Sequence, residues 1–93
     1  MRARKIDGNQ GTIVDALRQC GATVQILSAV GSGCPDILVG INKRNYLFEL
    51  KNPEQSKSDQ QLTPQEAIWI NEWNGQVAVV TTPEEAIAAI NPR

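Results

Sequence analysis

The sequence predicts an α/β domain in which a mixed four-stranded sheet is flanked by helices. Short apolar segments typical of strands alternate with segments whose apolar residues recur at helical spacing, in the order α-β-β-β-α-β-α. A polar turn joins the second and third strands, as in a hairpin. The helix before the final strand can serve as a crossover. That strand can then lie parallel to a strand of the hairpin, while the first three strands form an antiparallel meander.

Each predicted element carries a local signal. Ile13 and Leu17 recur at helical spacing in the first helix, and Gly21 can end it. Thr63 and Glu66 form a capping box at the start of the second helix. The predicted bounds are 8–20 for the first helix, 22–30, 36–41 and 45–51 for the first three strands, 52–62 for a polar surface loop, 63–74 for the second helix, 76–81 for the last strand and 82–90 for the last helix.

Composition predicts one small globular domain over residues 1–93, with 41% hydrophobic and 20% charged residues. No segment approaches the roughly 18 apolar residues that a membrane span needs, and no apolar stretch of signal-peptide kind follows the basic start. Two cysteines, Cys20 and Cys34, are too few for a disulfide scaffold, so we expect a reducing cytoplasm. The sequence has no histidine, which excludes Ser-His and Cys-His nucleophile systems and His-ligated zinc.

The charge is unevenly distributed along the chain, although the net charge is only −1. Residues 1–57 hold eight of the nine Lys and Arg residues and five acids, a balance of +3, whereas residues 58–93 have a balance of −4. A phosphate backbone would favour the basic part. An acidic, solvated C-terminal part without any partner explains the same charges.

Acidic residues occur in both strands of the predicted hairpin, where a buried strand should be apolar. A ladder symmetric about Asn42 and Lys43 places Asp36 opposite Glu49, with Cβ atoms about 5 Å apart. Like charges in that position destabilise a sheet unless a positive charge lies between them. Lys51 is two residues beyond Glu49 and therefore on the same face. Two carboxylates and an ammonium group on one patch indicate a divalent-metal site with a catalytic lysine beside it.

The residues Pro35-Asp36 and Glu49-Leu50-Lys51, with a helix before them and a helix and strand after them, resemble the motif of the PD-(D/E)xK nuclease superfamily. Within that superfamily the chain is most similar to the small stand-alone virus-type replication-repair nuclease (VRR-NUC) domains and to the archaeal-type Holliday-junction resolvases. The resemblance covers nearly the whole chain. It implies a restriction-endonuclease-like fold for the single domain.

The resemblance also implies roles for individual residues. Asp36 and Glu49 would bind Mg²⁺ or Mn²⁺, with the backbone carbonyl of Leu50 and waters completing an oxygen-rich shell. Lys51 would orient or polarise the attacking water and offset charge that develops on the phosphate. Gln65 would lie at the start of the second helix, near the metal or the scissile phosphate.

The chain departs from the family pattern in its first helix. These enzymes commonly carry a metal-binding Glu there, and the equivalent position holds Gln10. A neutral amide can hold a metal-bound water but binds the ion more weakly. Gln10 has an alternative role as a capping partner, because residues 7–10 also read as a capping box.

Several candidate residues have structural alternatives as well. Glu49 and Lys51 could form an exposed ion pair on an edge strand, which would be worth little. Asp36 could belong to a simple Pro-Asp turn, and Gln65 could be an ordinary solvated residue of a first helical turn.

We interpret two other segments as having structural roles. Trp69 and Trp73 lie one helical turn apart, and we interpret them as core or interface residues in preference to a base-stacking platform. Residues 31–33, Gly-Ser-Gly, lack the GK[ST] of a phosphate loop, and we expect them to let the chain turn close to the site.

The resemblance implies a Mg²⁺- or Mn²⁺-dependent endonuclease that cuts branched DNA such as Holliday junctions. We expect a homodimer with no membrane association, in the cytoplasm of a bacterial or phage-infected cell. A flap or nicking endonuclease is the alternative enzyme. A DNA-binding or assembly module that keeps the fold without catalysis is the alternative from another class, and Gln10 is the residue that favours it.

Overall fold

The computed structural model describes residues 8–55, residue 57 and residues 61–91. The described part contains three helices and four strands of three or more residues in the predicted order α-β-β-β-α-β-α. Their bounds are α1 Gly8–Gln19, β1 Thr23–Ile26, β2 Ile37–Ile41, β3 Arg44–Leu50, α2 Pro64–Glu72, β4 Ala78–Val80 and α3 Pro83–Ile90. No helix among these residues is long and apolar enough to cross a membrane.

The strands form one mixed sheet in the order β1-β2-β3-β4. The first three strands are antiparallel to their neighbours, and β4 pairs in parallel with β3. A two-residue turn joins β2 to β3, and both of its residues, Asn42 and Lys43, have positive φ angles of 54° and 66°. This combination is typical of the turn that matches the twist of a hairpin. It fixes the predicted register, in which Ile37 lies opposite Phe48.

One face of the sheet, the inner face, forms the hydrophobic core with α1 and α3. Phe48 and Ile37 are fully buried there, and Ile13 and Leu17 of α1 pack against them. The other face, the open face, carries the alternate residues of the same strands, because side chains alternate across a strand. It contains Leu38, Leu47, Glu49 and Val79. Helix α2 has no buried residue.

The first strand is shorter than predicted. We expected it to run over 22–30, but β1 ends at Ile26 and residues 28–30 form a turn. The N–H of Leu27 still donates to the carbonyl of Asp36 at 2.8 Å, and the N–H of Val30 then folds back to the carbonyl of Leu27. Val30 is 63% exposed, so the apolar run alone does not identify a buried strand.

Two later elements also differ from the predicted bounds. Helix α2 ends at Glu72 and not near Asn74, because Trp73 adopts an extended conformation. Strand β4 begins at Ala78 and not at residue 76. The side-chain amide of Gln76 replaces the missing strand pairing, since it accepts from the Leu47 N–H at 2.6 Å and donates to the Leu47 carbonyl at 3.3 Å. Residues 56 and 58–60 of the predicted loop lie outside the described residues.

Candidate active site

The hairpin brings Asp36 and Glu49 to the same end of the open face. Asp36 lies one residue before β2, where the ladder continues beyond the Ile37–Phe48 pair. Its N–H donates to the Phe48 carbonyl at 3.0 Å, and its Oδ2 accepts the N–H of Leu50 at 2.7 Å. Both the backbone and the carboxylate of Asp36 are therefore fixed to β3. A Pro-Asp turn without further contacts does not describe this residue.

Glu49 is the buried charged residue among those described, with 2% of its surface exposed. Its Oε1 is buried without a hydrogen-bond partner in the described part of the chain. Burial, followed by the negative charges of Asp36 and Glu66, raises the pKa of Glu49 to about 8 against the lowering effect of Lys51. Glu49 therefore holds a proton at neutral pH when no cation is bound. A buried carboxyl group of this kind is costly to keep.

Asp36 shares part of this environment. Burial raises the pKa of Asp36, although the hydrogen bond from the Leu50 N–H opposes the rise. The neighbouring thiol of Cys34 responds in the same direction, since burial and the charges of Glu49 and Asp36 raise its pKa. Cys34 is therefore held as a neutral thiol, which is a poor metal ligand.

Lys51 lies directly after β3, and hydrogen bonds hold both its backbone and the end of its side chain. Its backbone N–H donates to the Val80 carbonyl at 3.1 Å, and its carbonyl accepts from Nδ2 of Asn9 at 2.7 Å. Its Nζ lies 2.9 Å from Oε1 of Glu66 and 3.5 Å from Oε2 of Glu49. Burial lowers the pKa of Lys51, but the Glu66 and Glu49 carboxylates outweigh burial and raise it. The ammonium group is thus charged, and Glu66 is its closest counter-ion.

Sequence reasoning identified Glu66 only as a capping residue. The capping box is present, because the Thr63 N–H donates to Glu66 Oε1 at 2.9 Å and the Glu66 N–H donates to Thr63 Oγ1 at 3.2 Å. Burial raises the pKa of Glu66, but the Thr63 N–H and Lys51 lower it below its ordinary value overall. The local sequence pattern was sufficient to place Glu66 on the first turn of α2. Its contact with Lys51 depends on where that turn lies relative to β3, which no local pattern specifies.

Gln65 precedes Glu66 on the first turn of α2, and its side chain is exposed. Its backbone packs closely on the loop that leads to Asp36. Gly33 has a φ of 84°, and a Cβ added there would overlap the Gln65 carbonyl oxygen and lie 2.7 Å from the carbonyl carbon. The loop therefore turns close to the site, as expected. The role of the Gln65 side chain stays a prediction.

Gln10 is half-buried on the first turn of α1. Its side chain takes no part in the hydrogen bonds that hold Asp36 and Lys51 in the described part of the chain. The neighbouring Asn9 makes the contact between α1 and the site, since its Nδ2 also donates to the Thr81 carbonyl at 3.1 Å. Sequence reasoning did not single out Asn9. The capping alternative for Gln10 requires Asp7, which lies outside the described residues.

The two tryptophans of α2 stack on each other, with ring centroids 4.6 Å apart and ring planes inclined by 19°. Trp73 is 45% exposed, and Trp69 is not among the core residues. The core interpretation is therefore wrong for this pair. Trp73 lines a cavity at the open face together with Leu38 and Leu47.

Oxygen donors at the site are limited in number. Within residues 8–55, 57 and 61–91, no group of three or more His, Cys, Asp or Glu side chains is placed to hold a metal ion. The donors that the sequence predicted are the carboxylates of Asp36 and Glu49, the carbonyl of Leu50 and the side chain of Gln10. Comparisons of the chain with protein-family models, with curated proteins and with solved structures find no match.

Proposed function

We propose that this chain is a Mg²⁺- or Mn²⁺-dependent endodeoxyribonuclease of the PD-(D/E)xK type, with a restriction-endonuclease-like fold. The observation that carries the proposal is the buried Oε1 of Glu49, which lies beside the Asp36 carboxylate and has no hydrogen-bond partner among the described residues. Buried polar atoms are nearly always satisfied, and exceptions often mark ion or catalytic sites. A pair of exposed structural charges would not explain such a buried, unpaired oxygen.

The donor set fits a hard cation. Mg²⁺ keeps several waters and is commonly bound by one or two protein carboxylates together with substrate phosphate oxygens. Asp36 and Glu49 would hold the ion, and the carbonyl of Leu50 is a further oxygen donor on the same strand end. Two protein carboxylates are therefore sufficient for a site in which the substrate phosphate supplies further oxygen ligands. Because ligand carboxylates must be ionised, the raised pKa of Glu49 makes cation affinity increase with pH.

The residues of the site have different roles in phosphodiester hydrolysis. A bound divalent cation supplies Lewis-acid stabilisation of the phosphoryl oxygens and lowers the pKa of water. The Leu50 N–H orients the Asp36 carboxylate, and Glu49 would release its proton to solvent to become a ligand of a bound cation. The Lys51 ammonium, on the same side, stabilises the negative charge that accumulates on the phosphate in the transition state.

DNA is the substrate that the charge distribution favours. Eight of the nine Lys and Arg residues lie within residues 1–57, the part that contains the hairpin. A domain of 93 residues offers little surface for a branched substrate, so we propose a VRR-NUC-like homodimer that places two sites on two strands of a Holliday junction. We propose the cytoplasm of a bacterial or phage-infected cell as its setting. A flap or nicking endonuclease is the alternative enzyme.

The competing function is a non-catalytic DNA-binding or assembly module. The observation that favours it is the Glu66–Lys51 ion pair, which already satisfies the lysine without substrate. The two functions differ in their response to metal and to loss of Lys51.

The test is to incubate the purified protein with labelled four-way junctions, flaps and linear duplexes, in Mn²⁺ or in EDTA. We expect Mn²⁺-dependent cleavage of the branched substrates, loss of cleavage in Lys51→Ala, and retention in Lys43→Ala, a control in the exposed hairpin turn. Binding of DNA without cleavage in any divalent cation would support the non-catalytic module instead.

A further inference from the structure

We propose that Glu66 is a positioning residue, which holds the Lys51 ammonium group over the Asp36–Glu49 pair and is itself fixed by the capping box of α2. The inference rests on the proposed function for the role of Lys51. The arrangement of the two side chains is independent of that function. No local pattern in the sequence connects Glu66 with Lys51, which are 15 residues apart.

A lysine side chain needs such a support. Its four-carbon stem is flexible, and holding it in one rotamer costs side-chain entropy. The backbone of Lys51 is fixed by Val80 on one side and by Asn9 on the other, but those bonds leave the stem free. The bond of 2.9 Å to Glu66 is the contact that fixes the ammonium end. Glu49, at 3.5 Å, is the longer contact.

Glu66 is well placed for this role because its own carboxylate is constrained. A single oxygen, Oε1, accepts both the Thr63 N–H and the Lys51 ammonium group, each at 2.9 Å. The side chains of Lys51 and Glu66 are only 12% and 20% exposed, so water competes weakly for the bond. Close packing of Gly33 on the Gln65 and Glu66 backbone fixes the same helical turn against the loop that precedes Asp36.

Helix α3 provides an internal comparison. Its N-cap, Thr82, accepts the Glu85 N–H at 3.0 Å, and Glu85 Oε1 accepts the N–H and the hydroxyl of Thr81 at 2.7 and 3.0 Å. This capping glutamate is satisfied by backbone and hydroxyl groups, and no lysine among the described residues forms an ion pair with it. The Lys51 bond of Glu66 is therefore an addition to capping and not a requirement of it.

The experiment compares Glu66→Ala with Glu85→Ala, which removes a matched capping glutamate far from Lys51 in the chain. A third variant, Thr63→Ala, weakens the same cap but keeps the Glu66 carboxylate and the backbone N–H that it accepts. For each protein we measure the single-turnover cleavage rate of a four-way junction in saturating Mn²⁺ and the dissociation constant for the junction in Ca²⁺. The rate of acylation of Lys51 by an amine-specific reagent, followed by mass spectrometry, is measured without DNA.

Glu66→Ala should slow cleavage by about 100-fold, because misplacement of a reacting group by about 1 Å has a cost of that size. Its dissociation constant should change no more than about twofold, because Lys51 acts on charge present mainly in the transition state. Glu85→Ala and Thr63→Ala should keep cleavage within about threefold of wild type, since each removes a capping interaction and leaves the bond from Lys51 to Glu66 in place. Glu66→Gln, which can still cap at this position, should fall between Glu66→Ala and wild type.

Acylation separates failure of this inference from failure of the proposed function. Lys51 should react several-fold faster in Glu66→Ala than in wild type or Glu85→Ala, because the released amine is more exposed. If no protein, wild type included, cleaves any DNA, the nuclease proposal fails and the acylation rates still decide the positioning role. Equal acylation of Lys51 in all variants, or equal losses of cleavage in Glu66→Ala and Glu85→Ala, would overturn it.

Discussion

Replacing Glu49 by Gln removes a buried ionisable group while keeping the size and shape of the side chain. In the wild type the pKa of Glu49 is raised from 4.5 to about 8 by burial and by the charges of Asp36 and Glu66. Below pH 4.5 both the folded and the unfolded chain carry the proton, so its contribution to stability is fully present. As the pH rises, the unfolded chain loses the proton first, and stability falls until the pH passes about 8.

The size of the effect follows from that interval. Stability falls by at most about 1.4 kcal/mol for each pH unit between the two pKa values, which gives an upper bound of roughly 5 kcal/mol. Relaxation around the ionised group reduces this, so we expect the free energy of unfolding of Glu49→Gln to exceed that of wild type by about 2 kcal/mol at pH 8. At pH 4.5 the two proteins should differ much less.

The assay is urea unfolding in EDTA at several pH values from 4.5 to 8.5, for wild type, Glu49→Gln and the control Glu72→Gln. Glu72 is an exposed residue at the end of α2, and its replacement should change the free energy of unfolding by less than about 0.5 kcal/mol at every pH. A difference between Glu49→Gln and wild type that stays constant from pH 4.5 to 8.5 would show that the pKa of Glu49 is not raised in the folded protein.

Mn²⁺ provides a second arm of the same experiment. A cation that binds only the folded state stabilises it by about 2.7 kcal/mol at 100 times its dissociation constant. The wild type should therefore gain stability from Mn²⁺ at pH 8, whereas Glu49→Gln should gain little. A melting temperature of wild type that millimolar Mn²⁺ or Mg²⁺ leaves unchanged would count heavily against the metal site.

Three further predictions concern the surroundings of the pair. Lys51→Ala should reduce the single-turnover cleavage rate by orders of magnitude and leave junction binding nearly intact, and an equal loss of binding would make the lysine a phosphate anchor. Gln10→Glu should lower the Mn²⁺ concentration for half-maximal cleavage if residue 10 reaches the ion. An unchanged midpoint with a gain of about 0.3–1 kcal/mol in stability would place it in the helix cap. Gly33→Ala should cost more than about 2 kcal/mol in urea unfolding, because φ is 84° and its Cβ would overlap Gln65. The control Gly11→Ala, where a Cβ meets nothing within 4 Å, should stabilise α1 by about 0.5–1 kcal/mol, and equal effects of the two changes would contradict the close packing.

Features that depend on neighbouring residues could be predicted from the sequence alone. The turn at Asn42 and Lys43 sets the register of the hairpin, because a shift of one residue would move every side chain to the opposite face. That register was sufficient to place Asp36 beside Glu49. The cap of α2 was equally local, since Thr63 and Glu66 satisfy each other within one turn.

Contacts between these local units depend on how the whole chain folds and could not be predicted from the sequence. The length of β1 depends on its pairing with β2, so the apolar character of residues 27–30 could not define where the strand ends. The bonds from Asn9 to the carbonyl of Lys51 and from Lys51 to Glu66 join residues 42 and 15 positions apart. Such contacts depend on how α1 and α2 pack on the sheet. Each local signal, whether of periodicity, capping or a turn, describes one segment of the chain. It therefore carries no information on contacts between residues that are far apart in the sequence.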